Sequence, residues 1–132
     1  MTDELRIYII VRKDIGLHMT KAKFGVQCAH AALTSWIACL KRDPARAWAY
    51  MGTRLDDKEM VAQVKIVLEV KNLDALHRLE AKAKEAGFDT ALITDAGRTE
   101  FNEPIETVLG VGPIWWKTES DILFRRVQLY KE

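Results

Sequence analysis

Lys23, Gln27 and His30 recur at spacings of four and three residues, which places them in one row along a predicted helix. Lys23 would lie in the first helical turn, where backbone N–H groups lack helical partners and a lysine is unfavourable to the helix dipole. A lysine there becomes useful where an anion or a developing negative charge must be held. Spacing alone favours the plainer alternative, in which Lys23 is a solvated surface residue and Gln27 and His30 border the core.

A thiol nucleophile is a second chemistry to consider, because Cys28 and His30 lie close together in the sequence. Residues two apart on a helix point in nearly opposite directions, so these two side chains cannot pair directly. A buried helical cysteine is commonly a small hydrophobe. The sequence has no HExxH or CxxC motif and no carboxylate cluster with ligand spacing, so we expect no metal site.

A polar loop that begins at Asp95 and includes Thr99 follows a short predicted strand, where α/β folds tend to place ligand sites. Asp, Gly and Thr are also ordinary turn formers, so a tight turn explains the loop equally well. Thr107, at the start of the next predicted strand, is equally explained by β propensity. These residues by themselves name no substrate.

The elements that must position these residues follow from the spacing of apolar side chains. Residues 5–11 are almost continuously apolar, as in a strand covered on both faces. Thr20 can cap a helix that runs to about Leu40. Its predicted buried stripe consists of Ala22, Val26, Ala29, Leu33, Trp36 and Leu40.

Further predicted elements are a short helix at 45–51, a strand at 64–70, a helix from Asn72 closed by Gly87, strands at 90–94 and 107–111, a helical turn at 119–124 and an edge strand at 125–130. This order predicts an α/β fold with helices on a central, partly parallel sheet.

Composition and charge narrow the classes of protein. The chain has 132 residues, of which 48% are apolar and 30% charged, so we expect one globular domain over residues 1–132. A net charge of +1 excludes a uniformly basic surface, although residues 1–48 carry eight basic against four acidic side chains. Two cysteines are too few for a disulfide framework. Without a signal sequence or a membrane-spanning apolar run, we expect a cytoplasmic domain.

Five blocks of sequence together resemble the type II peptidyl-tRNA hydrolase family of archaea and eukaryotes. They are V-R-K-D (11–14), M-T-K-A-K (19–23), Q-C-A-H-A-A (27–32), A-L-I-T-D-A-G-R-T (91–99) and T-V-L-G-V-G-P (107–113). The blocks occur in the family's order and cover most of the chain between residues 9 and 113. The chain departs from the family pattern in a longer loop at 15–18, in Glu100 and in its C-terminal tail.

The resemblance implies a three-layer α/β/α sandwich around a mixed, mainly four-stranded sheet. It also implies hydrolysis, with no organic cofactor, of the ester that joins a peptide or N-blocked amino acid to the terminal ribose of tRNA. The family's catalytic positions fall on Lys23, Asp95, Thr99 and Thr107. Lys23 would stabilise the oxyanion or a phosphate, and Asp95 would keep Lys23 protonated and assist the water as a base. The threonines would orient the water or the ribose.

The substrate implied by the resemblance is peptidyl-tRNA, a polyanion read mostly through its backbone and shape. The residues we assign to substrate binding are Arg12, Lys13, Lys21, Gln27, His30 and Arg98. Two alternatives remain open: a non-catalytic RNA- or protein-binding module on the same fold, and an esterase for another acyl substrate. A homodimer is also left open, and no membrane partner is expected.

Overall fold

One mixed β-sheet organises the chain in the computed structural model, which describes residues 4–52, 63–95 and 103–132. The elements in chain order are β1 (Leu5–Arg12), α1 (Lys13–Gly16), α2 (Lys21–Arg42), α3 (Pro44–Met51), β2 (Lys65–Val70), α4 (Leu73–Glu85), β3 (Thr90–Asp95), β4 (Ile105–Trp115), α5 (Ser120–Phe124) and β5 (Gln128–Leu129). The strand order is β3-β4-β1-β2-β5, with β1 and β2 parallel and the other neighbouring pairs antiparallel. The predicted α/β class with a mixed sheet is confirmed, and the two-residue β5 joins the four longer strands.

Helices cover both faces of the sheet, and β1 buries its side chains alternately against the two layers of helices. Tyr8 and Ile10 pack in a core that includes residues of α4 and α5. Ile7 and Ile9 pack in a second core, which includes residues of α2 and α3. The continuous apolar run that predicted a strand covered on both faces is explained by these two cores.

Local sequence signals set the helix ends as predicted. The Thr20 side chain accepts a hydrogen bond from the N–H of Lys23 and caps the start of α2. The Asn72 side chain accepts a backbone N–H hydrogen bond in the same way and caps the start of α4. Gly87 follows α4 with a φ of +83°, a conformation that favours glycine. β4 is longer than the predicted 107–111 strand at both ends.

The predicted apolar stripe of α2 is wrong, because the structure buries a different face of this helix. Val26 is 50% exposed and Leu33 58% exposed. The buried residues of the helix are instead Gln27, Ala31, Ala32, Ser35 and Cys39. The physical reason is a close approach to β4, where a Cβ added to Gly110 would overlap the carbonyl oxygen of Ala31. Such a contact requires small side chains, so the larger apolar ones face outward.

Candidate active site

Three parts of the fold meet at one edge of the sheet. They are the carboxyl end of β3, the first turn of α2 and the start of β4. β3 and β1 both run antiparallel to β4, so β3 and β1 are parallel to each other. Asp95 is the last residue of β3, and Thr107 lies close to the beginning of β4. Lys23 comes from α2, so three distant parts of the chain contribute to this edge.

Lys23 and Asp95 form an ion pair at this edge, between Nζ and Oδ2. The side chain of Lys23 is 14% exposed and that of Asp95 is 2% exposed. Two opposite charges held away from water attract each other more strongly than a pair on the surface. The pair therefore holds a shielded ammonium group at the site, in contrast to the solvated lysine that spacing alone favoured.

Thr107 and Gln27 form a second contact between the same elements. The Thr107 hydroxyl donates a 2.6 Å hydrogen bond to Gln27 Oε1, and both side chains are buried. The strand register explains the direction of Thr107: Ile93 pairs with Val108 and Thr94 with Glu106, so Thr107 is the extra residue of a β-bulge. Bulges beside functional sites commonly redirect one side chain in this way.

Two residues assigned to substrate binding form ion pairs with carboxylates. Arg12 contacts Asp14 through two nitrogens, at 2.9 and 2.7 Å, and this hydrogen bonding lowers the pKa of the Asp14 carboxyl. Lys13 forms a 3.0 Å ion pair with Glu69. Both cations are therefore partly neutralised within the protein.

The remaining substrate-binding assignments fall in different surroundings. Lys21 is exposed and lines a cleft of about 350 Å³ with Phe24 and Tyr130, whose rings lie 4.9 Å apart. Gln27 is buried against Thr107, whereas His30 is exposed, so the predicted polar row divides between core and solvent. The assignments of Arg98 and Thr99 lie outside the described residues.

Cys28 does not have the properties of a nucleophile. Burial raises the pKa of its thiol to about 11, so the reactive thiolate is scarce at neutral pH. Among the residues that the structure describes, no three His, Cys, Asp or Glu side chains are grouped as metal ligands would be.

Three acidic residues at this edge were not selected from the sequence. Asp14 and Glu69 hold Arg12 and Lys13, as described above. Glu106 offers its backbone carbonyl to Arg12 at 3.1 Å, and its carboxylate lies 2.8 Å from His77 Nε2. Only the position of Asp14 beside two basic residues gives a sequence signal, because the other contacts join residues distant in the chain.

The fold and this edge define a small α/β protein with a shielded lysine–aspartate pair between the first long helix and the third strand. The family model described as "Peptidyl-tRNA hydrolase PTH2" matches residues 5–129. The chain belongs to this peptidyl-tRNA hydrolase family, and the resemblance described from the five blocks is confirmed.

Individual relatives support the same membership. "Probable peptidyl-tRNA hydrolase 2" of Schizosaccharomyces pombe is 37% identical over 112 residues, which are 83% of this chain and 49% of that protein. "Peptidyl-tRNA hydrolase 2, mitochondrial" of Mus musculus is 36% identical over 112 residues, 83% of this chain and 55% of that protein. "Peptidyl-tRNA hydrolase" of Metallosphaera sedula is 35% identical over 109 residues, 83% of this chain and 86% of that protein.

The chain spans about half the length of the eukaryotic relatives and most of the archaeal one. Within the described ranges, no helix has the length and apolar character needed to cross a membrane. The mouse relative is named as mitochondrial, and the cytoplasmic location of this chain stays a prediction.

Proposed function

We propose that the chain, as a single domain, hydrolyses the ester between a peptide or N-blocked amino acid and the terminal ribose of tRNA. The observation that carries this proposal is the shielded ion pair between Lys23 and Asp95. Membership of the peptidyl-tRNA hydrolase family supplies the substrate class. Hydrolysis of such an ester needs a positioned water, a proton acceptor and a group that stabilises the tetrahedral oxyanion.

Lys23 supplies the stabilising charge in this proposal. Its ammonium group is largely withdrawn from solvent and is already paired, so little reorganisation is needed when negative charge develops on the ester oxygen. The backbone also fixes its position, because the Thr20 side chain caps the helix at the N–H of Lys23, 3.1 Å away.

Asp95 has two roles in this proposal. Its negative charge pairs with the Lys23 ammonium group and holds it in place, and its carboxylate accepts the proton of the attacking water. The hydroxide adds to the ester carbonyl carbon, and the oxyanion forms beside Lys23. When the intermediate collapses, the carbon–oxygen bond to the ribose breaks and the ribose oxygen receives the proton from Asp95.

Thr107 and Gln27 position the site. The Thr107 side chain is fully buried and its hydroxyl donates to Gln27 Oε1, so Thr107 would act on the substrate through Gln27. The bond fixes the orientation of the Gln27 amide, with its nitrogen on the side away from Thr107. Gln27 lies one helical turn after Lys23, so its amide and the ammonium group lie on neighbouring turns of α2.

The test is a comparison of N-acetylated and unblocked aminoacyl-tRNA incubated with the purified chain, with and without chelator. We expect release of tRNA from the blocked substrate only, unaffected by chelator. Lys23→Ala should abolish most of this release, whereas Lys41→Ala, at the other end of α2, should leave it unchanged.

Other outcomes separate the alternatives. Binding of tRNA with no release at any enzyme concentration would make the chain a binding module. Equal turnover of a short acyl ester without RNA would make it a more general esterase. Peptidyl-tRNA is the proposed partner, and a size-exclusion profile with light scattering would test the homodimer.

A further inference from the structure

Two adjoining clefts open on the side of the sheet that α4 covers. One, of about 530 Å³, lies between the ends of β1 and β2 and the segment before β5. The other, of about 380 Å³, continues along α4 and past α5. Val70, Ala75, Arg126 and Val127 line both clefts, so the two form one continuous groove.

Five exposed cations among the described residues line this groove, and we call them the α4 basic surface. They are Lys71, Arg78, Lys82, Arg125 and Arg126. None of the five forms an ion pair with another described residue, in contrast to Lys13, which also lines the groove and is held by Glu69. The described part of the chain contributes three acidic lining residues, of which Asp14 is bound by Arg12 and Glu69 by Lys13. Asp121 is the third, so positive charge predominates along the groove.

The groove begins at the edge of the sheet that carries Lys23 and Asp95. Lys71 directly follows β2, which is parallel to β1 and therefore ends at the same edge as β3. Gln128 pairs with Glu69, so Arg126, just before β5, lies near this end of β2. In the strand order, β2 is three positions from β3, so about 14 Å along the edge separates Lys71 from Asp95.

We propose that the α4 basic surface binds the acceptor-stem phosphates of the tRNA whose 3′ end reaches Lys23 and Asp95. The inference rests on the proposed function and extends it to a surface not selected from the sequence. Cations from three parts of the chain line a concave groove: the segment before α4, α4 itself and the segment after α5. Such a groove suits a phosphate backbone better than a flat bilayer. Arg78 and Lys82 are four residues apart and so form one row along α4.

The test compares two doubly substituted proteins that lose the same amount of charge. Arg78→Gln with Arg126→Gln removes two cations of the groove. Lys41→Gln with Lys117→Gln removes two exposed cations at the opposite edge, one in the last turn of α2 and one just after β4. For each, fluorescence anisotropy measures the affinity for labelled deacylated tRNA between low and moderate salt, and KM and kcat are measured on N-acetylated aminoacyl-tRNA.

We expect the groove variant to bind tRNA roughly ten-fold or more weakly at low salt, with KM raised similarly and kcat unchanged. The slope of log affinity against log salt should become shallower by about 1.4–1.8, because each phosphate contact contributes about 0.7–0.9. The control variant should match the wild type.

Equal tRNA binding by the groove variant and the wild type would overturn the proposal, and so would equal losses in the two variants. A selective loss of binding to phosphatidylserine vesicles with tRNA binding intact would assign the surface to a membrane and overturn it too. Because deacylated tRNA has no ester, the binding result stands whether or not the wild type hydrolyses. Absence of hydrolysis with selective tRNA binding would refute the proposed function and retain this surface.

Discussion

Thr107 on β4 donates a 2.6 Å hydrogen bond to Gln27 on α2, across 80 residues of sequence. The bond joins two of the three elements that form the candidate site, because Lys23 lies one turn before Gln27 and β3 with Asp95 pairs with β4. The β-bulge at Thr107 places the hydroxyl in this position. The distance between helix and sheet, and with it the position of Lys23, therefore depends on a buried polar pair.

Replacing Thr107 by Val should damage both stability and turnover. The substitution keeps the shape but leaves Gln27 Oε1 buried without its donor, which costs about 1–3 kcal/mol of unfolding free energy. We expect kcat to fall about ten-fold or more with little change in KM, since the bond positions the site. Thr107→Ser retains the hydroxyl and should recover most of kcat. A Thr107→Val enzyme with normal kcat would show that the pair is structural only.

Lys23 and Asp95 should behave as one unit in a double-mutant cycle. Removal of a single oxyanion-stabilising group typically lowers kcat about 10²–10³-fold, and we expect this for Lys23→Ala. Asp95→Asn should cause a comparable loss. Groups that act together are strongly non-additive, so the double variant should be about as slow as either single one. If the loss of kcat in the double variant equals the product of the two single losses, the residues act independently. Thermal unfolding of each variant checks that it is folded.

Gly110 should tolerate no side chain, because α2 approaches β4 closely at this residue. A Cβ there would overlap the Ala31 carbonyl oxygen and lie 3.2 Å from Ser35 Cβ. Gly110→Ala should destabilise the protein by about 1–3 kcal/mol or more, measured by denaturant unfolding. Gly25→Ala is the matched control, since a Cβ at this α2 glycine meets nothing within 4 Å. It should stabilise the protein by about 0.5–1 kcal/mol. Similar stability of the two variants would contradict the close approach.

The same contact explains why the buried face of α2 could not be predicted from hydrophobicity. A ranking by apolar size selects Val26 and Leu33, which the structure leaves half exposed. The helix instead buries small and polar residues, and Ser35 donates a 2.5 Å hydrogen bond to the carbonyl of Gly112. A recurrence of small residues four apart, opposite a strand glycine, is the signal that would have identified this face.

Local signals were sufficient for much of the fold. The caps at Thr20 and Asn72 and the apolar run of β1 each depend on neighbouring residues, and the structure contains them. The ion pair of Lys23 with Asp95 depends on strand order, which the spacing of residues does not contain. The blocks of family resemblance selected these two residues, whereas the pairing of Lys13 with Glu69 had no comparable signal.

Glu69 should contribute stability that is lost in acid. Burial raises the pKa of its carboxyl, but hydrogen bonds from the Lys131 N–H and the Lys13 ammonium group outweigh this, and the net pKa is lowered. A carboxyl with a lower pKa in the folded state stabilises the protein above its unfolded pKa of about 4.3. This contribution disappears as the pH falls through that value and on through the folded pKa.

Glu69→Gln should therefore lower Tm by about 2–5 °C at pH 7, and the difference from wild type should shrink as the pH falls from about 5 to about 3. Circular dichroism melts across this pH range measure both effects. Glu85→Gln removes the same charge from an exposed position of α4 and should change Tm little. A Tm difference for Glu69→Gln that stays constant down to pH 3 would mean that packing, and not the charge of Glu69, stabilises this end of β2.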